Sequence, residues 1–365
     1  MTLDRLSLIN YKNISEAELE FSPKINCFIG SNGEGKTNLL DAVYYLSFCH
    51  SATTALDALV VRHGEECMML QGCYSDDDES RFEVACGVKA GKSKKISLDK
   101  KPYRRFAEHI GRVTLVMVSP GDGELVTGGS EVRRKFMDVV VSQYDRPYLE
   151  SLIKYNHALK QRNALLRGEA EPDGAMLDIY EEEMAAEGEK IFAARQLLAE
   201  RLTPLFQKYH SMISGDGELP SLSYVSHCQR GPLYDIIRGG RGKDRIMGYS
   251  LHGTHRDELQ MTLGGYPIRN EGSQGQTKSF LLALKFAQFE LLGQCGGKRV
   301  PLLLLDDLFD KLDSTRVARI VNMVAAGGFG QIFITDTDRD RLSPILEATG
   351  QDYRLMTVKA GVISL

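Results

Sequence analysis

Residues Gly30 to Thr37 read Gly-Ser-Asn-Gly-Glu-Gly-Lys-Thr. This run constrains the fold more than any other stretch, because the pattern G-x-x-x-x-G-K-[ST] has meaning only between a strand and a helix. Both neighbours are present. Lys24 to Ile29 is a short apolar run suited to a buried strand, and after the loop Leu39, Leu40, Val43 and Leu46 recur at helical spacing. Backbone N–H groups of a glycine-rich turn, followed by a helix N-terminus, form a concave cradle of partial positive charge for phosphates. Gly30, Ser31, Asn32, Gly33, Glu34, Gly35, Lys36, Thr37 and Asn38 are therefore the expected phosphate-binding residues. Lys36 would reach the β- and γ-phosphates and the Thr37 hydroxyl would ligate Mg²⁺. A turn that binds nothing is the plainer reading; the flanking strand and helix argue against it.

A second part of such a site lies near the other end of the chain. Val300 to Asp307 reads Val-Pro-Leu-Leu-Leu-Leu-Asp-Asp, which suits a buried parallel strand with two carboxylates at its carboxyl end, where α/β sheets bind their ligands. Asp306 is assigned as the Mg²⁺-side carboxylate. Asp307 is assigned to orient or deprotonate the attacking water, with Lys36 as the catalytic cation. An Asp-Asp pair could instead cap the next helix, a reading that leaves the glycine loop unexplained. Small GTPases do not separate these two parts so widely. Between them, Gly272-Ser273-Gln274-Gly275-Gln276 opens an apolar-periodic segment, Phe280 to Leu292, and offers a second anion-binding turn through the Ser273 hydroxyl and backbone amides.

The remainder is read more coarsely. Residues 3 to 9 and 17 to 21 suggest two strands, and Met68 to Tyr74, Arg81 to Val88 and Lys94 to Leu98 suggest an antiparallel meander. Its Lys92, Lys94, Lys95, Lys100, Lys101, Arg104 and Arg105 could meet a phosphate backbone or simply be solvated. Val113 to Val118 reads as a further strand and Gln331 to Thr335 as another. Ser130 to Ser142, Tyr148 to Leu166 and Leu177 to Ile213 read as helices, the last two forming a hairpin, with Gly239 to Lys243 as a polar linker. Arg238, Arg241, Lys243 and Arg245 there are a local basic cluster, either solvated or in contact with DNA.

Seven cysteines at irregular spacing, with no C-x-x-C pair, argue against zinc and disulfides and for reduced cytoplasmic thiols. No apolar stretch is long enough to span a membrane and no signal-peptide pattern opens the chain. A net charge of -4 leaves any DNA binding to local basic patches.

This order of parts resembles the ABC-type ATPases of the SMC-like group, and within it the RecF-like recombination mediators. The resemblance is carried by Leu6-x-Leu8-x-Asn10-Tyr11-Lys12-Asn13, Gly30 to Leu40, Arg133-Arg134-x-Phe136-x-Asp138, Gly253-Thr254-His255-Arg256-Asp257, Ser273-x-Gly275-Gln276, Leu302 to Asp307 and Leu312-Asp313. It implies an α/β fold: an ABC-type ATPase head with a mixed sheet and antiparallel meander, discontinuous over 1-140 and 245-365, with an inserted mostly helical arm at 141-244.

The resemblance further implies an ATP-dependent homodimer in which Gly30 to Thr37, Asp306 and Asp307 of one chain face Ser273, Gly275 and Gln276 of the other, with Asp313 also at the nucleotide. It implies binding of single- and double-stranded DNA at gaps or junctions, weak DNA-dependent ATP hydrolysis that releases the clamp, RecR and RecO as partners, help in loading RecA, and no membrane association. His50-Ser51-Ala52-Thr53-Thr54 departs from the group, which has a basic Ser-His-Arg-Thr type stretch there. Asp310 stands where a small Ser is usual, and Asp336 stands where transporter-type ATPases have a γ-phosphate-sensing histidine. The alternative is the ATPase subunit of another ABC-type machine. A transporter subunit would need a Leu-Ser-Gly-Gly-Gln turn, and a nuclease-coupled ATPase more chain than the sequence provides.

Overall fold

The structure is a computed structural model that describes all residues except 77, 79, 90, 169, 216, 298, 308–319, 322 and 325–327. The expectations for Asp310, Lys311, Leu312 and Asp313 lie outside the described residues. Two compact units emerge, one formed by Met1–Asp122 with Gln288–Leu365 and the other by Gly123–Ala287. The division thus falls at 122 and 288 instead of 140 and 245.

In the first unit the chain runs through β1 (Thr2–Tyr11), β2 (Ile14–Glu20), β3 (Ile25–Ile29), α1 (Lys36–Phe48), β4 (Cys67–Ser75), β5 (Arg81–Lys89), β6 (Lys95–Leu98), β7 (Lys101–Pro102) and β8 (Leu115–Val118). Alternate residues of β4 and β5 are buried, the signature of a sheet with one wet face. These strands belong to an antiparallel sheet of order β2-β1-β4-β5-β6-β7. The meander expected from its turn clusters is present.

The second unit carries α2 (Gly123–Thr127), α3 (Ser130–Ser142), α4 (Arg146–Arg167), α5 (Gly174–Ser214), β9 (Pro220–Val225), α6 (Leu233–Gly239), α7 (Arg241–Met247), β10 (Glu258–Leu263), β11 (Tyr266–Pro267), α8 (Ile268–Glu271) and the start of α9 (Gln274–Cys295). Asp145 caps α4 by accepting the Tyr148 N–H at 3.0 Å, with Pro147 in the first turn where its missing donor costs nothing. The polar linker expected at 239–243 is instead the junction of α6 and α7. Arg241 pairs with Asp178 and Glu181, and Arg245 donates to the carbonyls of Leu166 in the last turn of α4 and of Gly168 and Ala170 just after it. Those arginines brace the α4–α5 hairpin, and composition alone could not reveal their partners.

The same unit absorbs two of the motifs behind the resemblance. Arg133 forks onto Glu258 at 2.6 and 2.7 Å. Arg134 donates to the Asp257 carbonyl at 2.8 Å. Asp138 and Asp257 both accept from the buried Arg195, at 2.8 Å each. The two motifs therefore bind each other through Arg195.

After α9 the chain returns to the first unit through β12 (Leu302–Leu305), β13 (Ile332–Asp336), the helix Arg339–Thr349, β14 (Tyr353–Lys359) and β15 (Val362–Ser364). Here the sheet order is β15-β14-β3-β13-β12-β8, parallel from β14 to β8. Every residue of β3, β8, β12 and β13 is buried, which explains why they are mostly apolar, with Asn26, Thr335 and Asp336 as the buried polar exceptions. Phe333 sits edge-on to Phe21 at 5.0 Å and stacks with Phe28 at 6.5 Å. Buried Gln331 exchanges hydrogen bonds of 2.7 and 2.8 Å with the backbone of Leu3, tying β1 to the parallel sheet.

Candidate nucleotide site

Parallel register brings the informative residues to one edge of the sheet. Ile29 lies beside Asp336, and Leu305 beside both Ile334 and Val118. Gly30 and Asp306, remote in sequence, thus leave the sheet on the same edge, where β3 and β12 flank β13.

The Gly30–Thr37 loop leads into α1, capped by Gly35 at φ 111°. A Cβ at Gly35 would also lie 2.6 Å from the Asn13 amide, so glycine is required twice over. Lys36 is 6% exposed, and its ammonium donates to the carbonyls of Gly30 at 2.7 Å and Ser31 at 2.9 Å. Asn32, Gly33, Gly35, Lys36, Thr37, Asn38 and Asp307 line a cavity of about 150 Å³. The other expected loop residues act elsewhere: Gly30 and Ser31 hold Lys36, and Glu34 faces away toward the C-terminal hairpin.

The Thr37 hydroxyl donates to Asp306 Oδ1 at 3.0 Å, and the Thr335 hydroxyl donates to the same oxygen at 2.8 Å. Burial raises the Asp306 pKa, opposed by these two hydroxyls and by Lys36, while neighbouring Asp307 adds to the rise. Thr335 Oγ1 also accepts the Asp307 N–H at 2.8 Å, and Asp307 adopts φ 47°. A non-glycine residue at positive φ is held there by its surroundings; this backbone bond helps to hold it.

Asp336 is 1% exposed and fully engaged. It accepts the N–H groups of Thr337 and Asp338 at 2.6 and 3.0 Å and pairs with Arg341 at 2.7 Å. It orders the turn after β13. Ser273 and Gln276 form a capping box at the start of α9: Ser273 N–H donates to Gln276 Oε1 at 2.8 Å, and Gln276 N–H to Ser273 Oγ at 3.2 Å. Gln276 also donates to Glu218 at 2.7 Å. Ser273 and Gly275 are exposed.

Residue patterns missed two supports. Buried Asp41 accepts from the Tyr11 hydroxyl at 2.5 Å, Ser51 Oγ at 2.7 Å and Ala52 N–H at 2.6 Å, and pairs with Lys12 at 2.5 Å. This hub orders the departing stretch His50 to Thr54. Asn13 accepts from the Asn38 amide at 2.7 Å and donates to the Glu34 carbonyl at 3.0 Å. The only sequence signal for either was the run Asn10 to Asn13.

The description RecF/RecN/SMC N terminal domain matches residues 2–362. "DNA replication and repair protein RecF" of Phocaeicola vulgatus is 54% identical over 364 residues, covering 100% of this chain and 98% of that protein. The chain belongs to the RecF family. Its RecF relative from Porphyromonas gingivalis W83 is 47% identical, with 100% of both chains covered. Among solved structures, the recombination mediator RecF-ATPrS of the RecFOR pathway matches with a TM-score of 0.89 at 27% identity, over 99% of this chain and 97% of that one. An Smc head domain from Pyrococcus furiosus shares the fold, with a TM-score of 0.60 at 16% identity, over 100% of this chain and 95% of that one. The RecF family thus accounts for the expected ABC-type head and assigns the chain to DNA repair.

Proposed function

We propose that the chain is an ATP-dependent DNA clamp of recombinational repair. It binds ATP at Gly30 to Thr37, dimerises on it, engages gapped or junction DNA and is released by slow hydrolysis. The observation that carries this reading is the convergence of the phosphate loop, Thr37, Asp306 and Asp307 on one sheet edge. RecF structures named with ATP and ATPrS support the nucleotide.

The donors also suit Mg²⁺. Among the described residues no group of three or more His, Cys, Asp or Glu side chains could hold a metal by itself. Thr37 and Asp306 offer one hydroxyl and one carboxylate, the sparse oxygen set that Mg²⁺ completes with phosphates and water. Bound there, the ion would neutralise charge on the β- and γ-phosphates. Lys36 would exchange its carbonyl partners for phosphate oxygens. Asp307 would accept the proton of a water attacking the γ-phosphorus as the bond to the bridging oxygen breaks and ADP leaves.

Ser273, Gly275 and Gln276 complete the site from a second copy. The exposure of Ser273 and Gly275 at the N-terminus of α9 supports this, since a helix N-terminus favours anions. Two half-sites on separate chains would couple ATP binding to association. Asp313 is assigned to the same interface by family likeness.

DNA phosphates would be met by Lys92, Lys95, Lys100, Lys101 and Arg104, all exposed around the β6–β7 hairpin. Lys94 is excluded from that set because it is committed to Asp57 at 2.9 Å and the Cys49 carbonyl at 2.7 Å. RecR, RecO and RecA complete the proposed pathway, in the cytoplasm. Fluorescence anisotropy on gapped duplex DNA tests the reading. ATP should tighten binding at least about tenfold, which is about 1.4 kcal/mol, and equal affinity with and without ATP would contradict it.

A further inference from the structure

The phosphate loop is gripped on its outer side by the turn joining β14 and β15. That turn is a two-residue hairpin of Ala360 and Gly361, both at positive φ, 49° and 78°, the conformation that matches the twist of paired strands. Gly361 N–H donates to the Glu34 carbonyl at 2.9 Å, and Ala360 N–H donates to the Glu34 carboxylate. The Asn13 amide donates to the same Glu34 carbonyl at 3.0 Å. One loop residue thus receives three donors from two turns, one near each end of the chain.

These contacts fix a peptide plane. Among the described residues no peptide bond is cis, and in a planar trans peptide the N–H points opposite the carbonyl of the same unit. Two donors holding the Glu34 carbonyl outward therefore direct the Gly35 N–H away from the hairpin. Gly35 lines the 150 Å³ cavity with Gly33 and Lys36. Because Gly35 has the rotational freedom of glycine, the plane would otherwise be free to turn over and present a carbonyl to the phosphates.

We infer that Glu34 is a positioning residue that latches the phosphate loop to the Ala360–Gly361 turn, and that the C-terminal hairpin is thereby a working part of the nucleotide site. The inference rests on the proposed binding of ATP at Gly30 to Thr37. Charge separates it from the obvious alternative. A carboxylate that merely sat beside the triphosphate would repel it, so removing that charge would strengthen binding. A latch makes the opposite prediction for alanine, and glutamine, which keeps an acceptor oxygen for the Ala360 N–H, should restore it.

The experiment is calorimetric titration of ATP-Mg²⁺ into the full chain and into Glu34→Ala, Glu34→Gln and Asn13→Ala, with thermal melts in parallel. Expected are unchanged melting temperatures in the Glu34 variants, a Kd raised about tenfold in Glu34→Ala, which loses the bond from Ala360 N–H, a Kd in Glu34→Gln no weaker than the parent, and a weakened Asn13→Ala, which loses its bonds to the Glu34 carbonyl and from the Asn38 amide. Glu34→Ala binding as tightly as the parent, or more tightly, overturns the latch. Should Glu34→Ala melt early, the Glu34→Gln and Asn13→Ala affinities decide by the same criteria. If the parent chain itself failed to bind ATP, the proposed function would fall first, a result distinct from failure of the latch.

Discussion

His255 is held as a neutral ring, and that has a consequence for stability. Its Nε2 donates to the Ser250 carbonyl at 3.0 Å and its Nδ1 accepts from the Tyr155 hydroxyl at 2.8 Å. Burial, reinforced by Arg256, Arg134 and His227, pushes its pKa down from 6.5 to about 4. The unfolded chain therefore takes up this proton first as pH falls. Stability from the neutral ring is complete above about pH 6.5 and is lost progressively toward pH 4, amounting to no more than about 3 kcal/mol. Urea unfolding between pH 7 and 4.5 should show a shallower decline for His255→Gln than for the parent chain; parallel declines would refute the assignment. At this scale the sequence was partly legible. Thr37, Lys36 and Asp306 carry a signature because phosphate chemistry prescribes residue type and spacing. Asn13, Asp41, Glu34 and Thr335 carry none, since sheet register alone makes them neighbours of the loop.

Among the elements, α4 and α5 were readable from apolar spacing, but their polar core was not. Arg162 is fully buried and donates to Glu181 at 2.9 and 3.0 Å, to Asp244 at 2.7 Å and to Ser250 Oγ at 2.7 Å. Removing it would take a cation from Asp244 and leave Glu181 to Arg241, although both carboxylates are 0% exposed. Arg162→Ala should therefore lower the unfolding free energy by about 3–5 kcal/mol. A loss below about 1 kcal/mol in denaturant titration would contradict the network. Helical periodicity reports only which face is apolar, so a charged residue turned inward looks like one turned to water. The α6–α7 junction was missed for the same reason: Gly239 to Lys243 has the composition of a linker, and its helices are stabilised by pairing to α5. The parallel strands β3, β8, β12 and β13 were legible because burial on both faces keeps them mostly apolar, whereas β14, buried at only two of its seven residues, was not.

Across the whole molecule, the two ends of the chain meet at the candidate site: Asn13 and the glycine loop come from the first strands, Asp306 and Thr335 from the last third, and the Gly361 turn from the final hairpin. That discontinuity was visible in the wide separation of the glycine loop from the Asp-Asp pair. The points of division were not, because α3 contributes Arg133 and Asp138 to networks of the second unit, although its sequence has no feature that assigns it there. The proposed function adds to this site the Ser273 turn of a second copy. Sedimentation velocity of the parent chain and Ser273→Arg, with and without ATP-Mg²⁺ and with Lys36→Ala as the control for lost nucleotide binding, addresses this directly. The account predicts a monomer that dimerises on adding ATP, and a Ser273→Arg chain that binds ATP with unchanged affinity yet stays monomeric. A parent chain that stays monomeric at saturating ATP, or a Ser273→Arg chain that dimerises as readily, would contradict it.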